Sequence, residues 1–195
     1  MPVKTFYIFR HGETDFNREG RWQGAGNDPD LNEAGIDQAY VLADLLKSAG
    51  LEIIYTSPLK RALQTAEIIA ADLHIPFEVK PSLIEGSLGV NEGRYHEEII
   101  QTEEYKNWRN LDPEYINFRF EGGESKYEIM ERMFGAVREM LATPCQIIGI
   151  SSHSAAIRCL MLQFGVKLGR LLNGAILRLT YDDGKWEVEE LYNGG

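Results

Sequence analysis

Arg10 and His11 stand side by side at the end of TFYIF (5–9), a run of aromatic and branched residues that reads as a strand buried on both faces. His153 holds the corresponding place after a second apolar run, QIIGIS (146–151). Arg61 falls in the first turns of a helix expected after a third run, EIIYT (52–56). Cations that resist burial, set at the ends of buried strands, suit an anionic ligand. Guanidinium forks match phosphate oxygens bidentately, and helix N-terminal amides add donors. A lone arginine is ordinarily a solvated surface group, so it is the agreement of separated segments that carries the phosphate reading. His74 and His96 have no such placement and read as structural or exposed. A metal site on His11, Glu13 and His153 matches no HExxH or Cys/His ligand spacing, and the neighbouring arginines would repel a cation. No metal and no cofactor is expected.

These groups meet only if the strands that carry them are parallel. From Asn32 to Ala49 the apolar positions Ile36, Ala39, Val41, Leu42, Leu45, Leu46 and Ala49 recur at helical spacing, and Gly50 supplies the stop. Ser57 and Pro58 read as the N-cap and first residue of a helix reaching Leu73. Residues 76–80 suggest a further strand, and 95–109 a helix. Ser125 and Glu128 form a capping box ahead of Tyr127, Met130, Phe134, Val137 and Leu141, and Ala155–Phe164 is another helix. The stretch LRLTYDDGKWEVEEL is a hairpin turning at Asp183 and Gly184. The pattern predicts an α/β fold: a mainly parallel sheet covered by helices on both faces, with an antiparallel C-terminal hairpin. In such a sheet ligands sit at the carboxyl ends of the strands, where Arg10, His11, Arg61 and His153 would share one edge. One domain spanning 1–195 is expected, with a lid or insertion at about 86–121.

Composition narrows the partners. A formal charge of −10 and a pI near 4.9 would repel nucleic acid and anionic membrane, yet a small phosphorylated molecule can enter a local cationic pocket. Cys145 and Cys159 form no CxxC pair and fit two packed thiols in a reducing compartment. The opening MPVKTFYIF lacks a leader's apolar core, and no run reaches the length of a spanning helix, so a cytoplasmic protein is expected.

The segments FRHGET with Asn17, GRWQG, YTSPLKRALQTA, LIEGSLGVNEG, GGES and ISSHS follow one another as they do in the histidine phosphatase superfamily, which includes the cofactor-dependent phosphoglycerate mutases. The resemblance spans residue 5 to about residue 160. It implies a phosphoglycerate mutase-like fold and a covalent phosphohistidine on His11, with Arg10, Arg61 and His153 holding phosphoryl oxygens and Asn17 adding a neutral donor. It assigns Glu85 as the acid that protonates the departing alkoxide and then activates water. Gln23, Gly24 and Ser154 enter as further phosphate-site positions. Ser154 stands where the family often has glycine, Phe16 where it has tryptophan, and GAGNDPDLNEA runs one residue longer than the usual pattern.

The resemblance leaves the reaction to be chosen. Mutases of the family carry a longer basic insertion after the acid, which grips a second anionic group. Here residues 86–121 hold four basic residues against eight acidic ones. That balance should disfavour a second strong anion and admit water, so the expected activity is phosphomonoester hydrolysis of a small phosphorylated metabolite. Mutase-type transfer and a noncatalytic phospho-ligand module are the alternatives.

Overall fold

The computed structural model describes residues 3–194; the part of the N-terminal reading that rests on Met1 and Pro2 lies outside them. In chain order the elements are β1 (Lys4–Arg10), α1 (Asp15–Arg18), α2 (Glu33–Leu46), β2 (Ile53–Thr56), α3 (Lys60–Leu73) and β3 (Phe77–Val79). After three short 3-10 turns and two small helices, α4 (His96–Ile99) and α5 (Glu103–Arg109), come α6 (Lys126–Leu141), β4 (Ile147–Ser152), α7 (Ser154–Leu162), β5 (Ile176–Asp182) and β6 (Lys185–Tyr192). The strands form one sheet in the order β3-β2-β4-β1-β5-β6. β1, β2, β3 and β4 run parallel, and β5 and β6 are antiparallel to β1 and to each other. The fold is the expected α/β sheet. Its final hairpin turns at Asp183 and Gly184, both at positive φ, as a two-residue turn joining twisted strands requires.

Alternation along β1 builds an apolar layer on each side of the sheet. Phe6 and Ile8 pack with Ile129, Met133, Ile150 and Leu160 beneath α6 and α7, whereas Phe9 packs with Leu42, Leu46, Ile54 and Ile69 beneath α2 and α3. Buried on both faces, β1, β2 and β4 are rigid supports for whatever follows them. Among the described residues, no helix is long and apolar enough to cross a membrane.

Several boundaries differ from the sequence reading. α2 stops at Leu46 and buries Ala39, Leu42, Ala43 and Leu46, while Ile36, Val41 and Leu45 face solvent. An apolar stripe wider than the contact surface cannot all be covered. α3 begins at Lys60, with Leu59 rather than Ser57 at the cap; the Ser57 hydroxyl accepts the Leu59 amide at 3.3 Å and meets His153 Nε2 at 2.7 Å. β3 is three exposed edge residues. The helix expected over 95–109 breaks into α4 and α5, where Thr102 accepts the Tyr105 amide and starts the second helix. The Ser125–Glu128 capping box opens α6 as expected, although Tyr127 points outward and the buried stripe runs through Ile129, Met133, Val137 and Met140.

Candidate active site

Register sets the site. Arg10 lies level with Ser152, and Thr56 with Ser151, so the residues that follow these strands emerge together at one sheet edge. His11, Ser57 and His153 are those residues. Because β5 is antiparallel to β1, with Phe9 opposite Ile176, the chain entering β5 also starts at that edge. It brings Arg170, Leu171 and Asn173 with it.

His11 is 2% exposed. Its Nδ1 lies 2.6 Å from the Gly12 carbonyl oxygen, which accepts the ring proton and leaves Nε2 as the free lone pair. Burial first, then Arg61 and Arg10, hold the imidazole well below the ordinary histidine range, so it is neutral at physiological pH. The loop around it is tied on every side. The Gly12 amide donates to Thr65 Oγ1 at 3.1 Å, and Thr65 donates in turn to the Arg61 carbonyl at 2.7 Å. Asn173 Nδ2 lies 3.1 Å from the carbonyl oxygens of His11 and Gly12 and from Asn17 Oδ1.

Arg61 is buried and donates from its two terminal nitrogens to the Asn27 and Gly24 carbonyls, at 2.8 and 2.9 Å. It thereby organises the loop after Gln23 while keeping further donors. Arg10 donates to the Leu171 carbonyl at 2.7 Å. Burial brings both guanidinium groups down to about 10, which leaves them charged at neutral pH. His153, fully buried with its ring centroid 5.2 Å from that of His11, has Nε2 at 2.7 Å from Ser57 Oγ. Burial, then Arg61, holds it too well below the ordinary range. Five buried side-chain polar atoms among the described residues lack a partner, and four of them are Arg10 Nε, Arg61 Nε, His153 Nδ1 and Gln23 Oε1. Buried polar groups are otherwise paired, so this concentration marks a place built for a polar ligand.

Glu85 accepts hydrogen bonds from the amides of Gly86 (2.9 Å) and Ala156 (2.8 Å) at Oε1, and of Ala155 (3.2 Å) at Oε2. The expectation that helix N-terminal amides would face phosphate is therefore revised. Those of Ala155 and Ala156 in α7 are taken by Glu85, and the Lys60 amide that opens α3 donates to Asp28 at 2.7 Å. Ser154, first in α7, does line the cavity, as do Asn17, Gln23 and Gly24. Asn17 uses Oδ1 to close a capping box with Thr14, which leaves its amide nitrogen as a donor. Gly24 has φ +60, and a Cβ there would sit 2.2 Å from a carboxylate oxygen of Glu92, which itself accepts the Ala25 and Gly26 amides.

The cavity, about 360 Å³, brings in residues outside the expected site set: Arg21, Trp22, His96, Tyr105, Trp108, Arg109, Arg158 and Arg170. His96, read as structural or exposed, accepts the Trp22 indole proton at 2.9 Å and stacks on that ring. None of the eight acidic residues of 86–121 lines this cavity; its wall from that segment carries Arg109. Counting charges along the segment therefore misjudged the face it presents. Arg158 had a readable signal, since it lies four residues after Ser154 on one helix and shares its face.

The profile of the histidine phosphatase superfamily (branch 1) matches residues 6–194. The chain is 35% identical over 191 residues to the "Probable phosphoglycerate mutase GpmB" of Cronobacter sakazakii, covering 92% of this chain and 86% of that protein. It is 33% identical over 192 residues to the "Uncharacterized phosphatase PhoE" of Bacillus subtilis, covering 95% and 92%. Among solved structures, Bacillus stearothermophilus YhfR superposes with a TM-score of 0.83 at 28% identity, covering 96% of each chain. With an imidazole and two guanidinium groups gathered on one sheet edge and a matching profile across nearly its whole length, this chain belongs to the histidine phosphatase superfamily, branch 1.

Proposed function

We propose that this protein hydrolyses a small phosphomonoester through a covalent phosphohistidine on His11. The observation that carries the reading is a buried, neutral imidazole with Nε2 free, set beside buried Arg61 and half-buried Arg10, each with a buried, unpartnered Nε. The Nε2 lone pair attacks phosphorus while the P–O ester bond breaks, and Arg10, Arg61, His153 and Asn17 stabilise the equatorial oxygens. Both lone-pair positions of Glu85 Oε1 are filled by amides, so a proton on this side chain sits on Oε2, from which it passes to the departing alkoxide. Water then attacks phosphorus and gives a proton back to Glu85. The P–N electrons return to Nε2, and phosphate leaves. The chain is read as one domain, with 86–121 as a lid over the cavity. Curated relatives named for a phosphatase and for a probable mutase are both similar to this chain.

Mutase-type transfer is the second reading, and the arginines on the cavity wall favour it, because they could retain a bisphosphorylated intermediate. The phosphoenzyme separates the two. Rapid quenching with radiolabelled substrate should trap an acid-labile label that is absent in His11→Ala and that discharges to water within one turnover. A label that persists in buffer and discharges only when a hydroxy acid acceptor is added would establish transfer instead. Normal turnover by His11→Ala would remove the nucleophile assignment altogether.

A further inference from the structure

Ser57 follows β2 and His153 follows β4, two adjacent parallel strands, and both side chains are fully buried. A serine hydroxyl has one proton to give and two lone pairs to offer. At Ser57 one lone pair accepts the Leu59 amide at 3.3 Å. Among the described residues the one other group bonded to Oγ is His153 Nε2, at 2.7 Å. His153 Nδ1 is buried and has no partner in the protein. Burial, then Arg61, keeps this imidazole neutral, so the ring holds one proton and one lone pair.

Counting protons decides which nitrogen holds which. If Nε2 carried the proton and donated to Ser57, both neighbours of Oγ would be donors. The hydroxyl proton would then have no acceptor and the Nδ1 lone pair no donor, which leaves two buried polar groups unpaired. If Ser57 instead donates to a bare Nε2, the hydroxyl is satisfied and a single group is left over, the Nδ1 proton. Unpaired buried polar groups are costly, so the second arrangement is favoured. It also decides what the ring can do. The ionisable groups that act most strongly on it are Arg61, His11, Arg10 and Arg132, and none of them is an anion. A proton on Nδ1 lacks an acceptor until an anionic oxygen arrives, whereas a bare Nδ1 would repel that oxygen.

Resting on the phosphohistidine reading for its catalytic consequence, we infer that Ser57 is a positioning residue. By donating its hydroxyl proton to His153 Nε2, it fixes the ring as the Nδ1–H tautomer, the neutral form that can donate from Nδ1 to a phosphoryl oxygen. A serine that reads in the sequence as a helix cap thus acts through a histidine 96 residues away.

Nitrogen-15 NMR reads the tautomer directly, because protonated and bare ring nitrogens resonate far apart. The native enzyme, labelled at its four histidines and free of ligand, should show His153 with its proton on Nδ1 and a bare Nε2. Loss of those signals in His153→Gln identifies them. Ser57→Ala removes the donor, so the Nε2–H form should appear, and single-turnover phosphorylation of His11 by p-nitrophenyl phosphate should slow by roughly tenfold or more. A native ring protonated at Nε2, or at both nitrogens, overturns the inference without recourse to any variant. So does Ser57→Ala that keeps the native pattern, whatever its rate, or that changes the pattern and phosphorylates at the native rate. Absence of p-nitrophenyl phosphate turnover by the native enzyme would instead sink the phosphohistidine reading, and the spectrum would still decide the tautomer.

Discussion

The guanidinium of Arg132, on α6, holds the main-chain oxygen of Glu85 at 3.0 Å. It also holds the carbonyls of Ser82 and Ile84, at 2.9 and 2.7 Å, and forms a two-point ion pair with Glu124. Glu124 in turn accepts the Ser87 amide at 2.9 Å. Arg132 is thus the post on which the loop carrying Glu85 hangs, and its planar fork suits three carbonyls and a carboxylate in a way that a lysine ammonium does not. Arg132→Lys should leave the fold intact and lower kcat by roughly tenfold or more for alkyl phosphates, with a smaller change in KM. Unchanged kcat, or a loss confined to KM, would detach this residue from the positioning of Glu85.

Much of the site was legible because strand ends can be read in a sequence. The runs TFYIF and QIIGIS, each followed by a histidine, located His11 and His153, and Arg61 followed from a helix expected after EIIYT. Arg132, Thr65 and Asn173 were not legible in that way. Their side chains serve main-chain atoms distant in sequence, and no periodicity or spacing encodes such a contact. Arg170 and Asn173 become readable only once β5 is known to run antiparallel to β1, which returns their loop to the sheet edge that carries His11 and His153. Ser57 misled for a related reason: a serine before proline reads as a cap, and here its hydroxyl meets His153.

Close backbone approach at Gly12 and Gly35 predicts a positional defect. A Cβ on Gly12 would sit 2.2 Å from the Gly35 carbonyl oxygen, and one on Gly35 2.1 Å from that of Glu13, with backbone on both sides and no flexible side chain to yield. Gly35→Ala should push the first turn of α2 away from the His11 loop. Expected are a lower melting temperature, by several degrees for a loss of about 1–3 kcal/mol, and a fall in kcat/KM larger than that instability accounts for. Full activity with an unchanged melting temperature would mean that the two loops separate without effect.

Buried neutral histidines make stability depend on pH. His11 and His153 are held well below the ordinary value of 6.5 in the folded protein, whereas in the unfolded chain each takes up a proton near that value. Below it the unfolded state binds more protons than the native state, so stability present above pH 6.5 is lost as pH falls, at up to about 1.4 kcal/mol per pH unit for each histidine. The melting temperature should therefore drop between roughly pH 6.5 and 5, before most carboxylates titrate. His153→Gln should flatten that slope by about half. A melting temperature constant across this window would show that the native rings accept protons freely.

Glu85→Gln separates proton donation from mere contact. The amide oxygen can keep the Gly86 and Ala156 bonds made by Oε1, but the amide nitrogen then faces the Ala155 N–H that Oε2 now accepts at 3.2 Å. That donor-against-donor contact costs about 1–3 kcal/mol of stability and acts equally on every substrate. Loss of the proton does not act equally. An alkoxide leaves poorly without protonation, whereas p-nitrophenolate leaves adequately, so single-turnover phosphorylation of His11 should slow by roughly 10²-fold more with an alkyl phosphate than with p-nitrophenyl phosphate. Single turnovers under enzyme excess are needed because Glu85 is also read as the base that activates water, and a slow second step would mask the contrast. If both leaving groups slow alike, the carboxylate only caps α7 and shapes the cavity, and the acid must be supplied by another group.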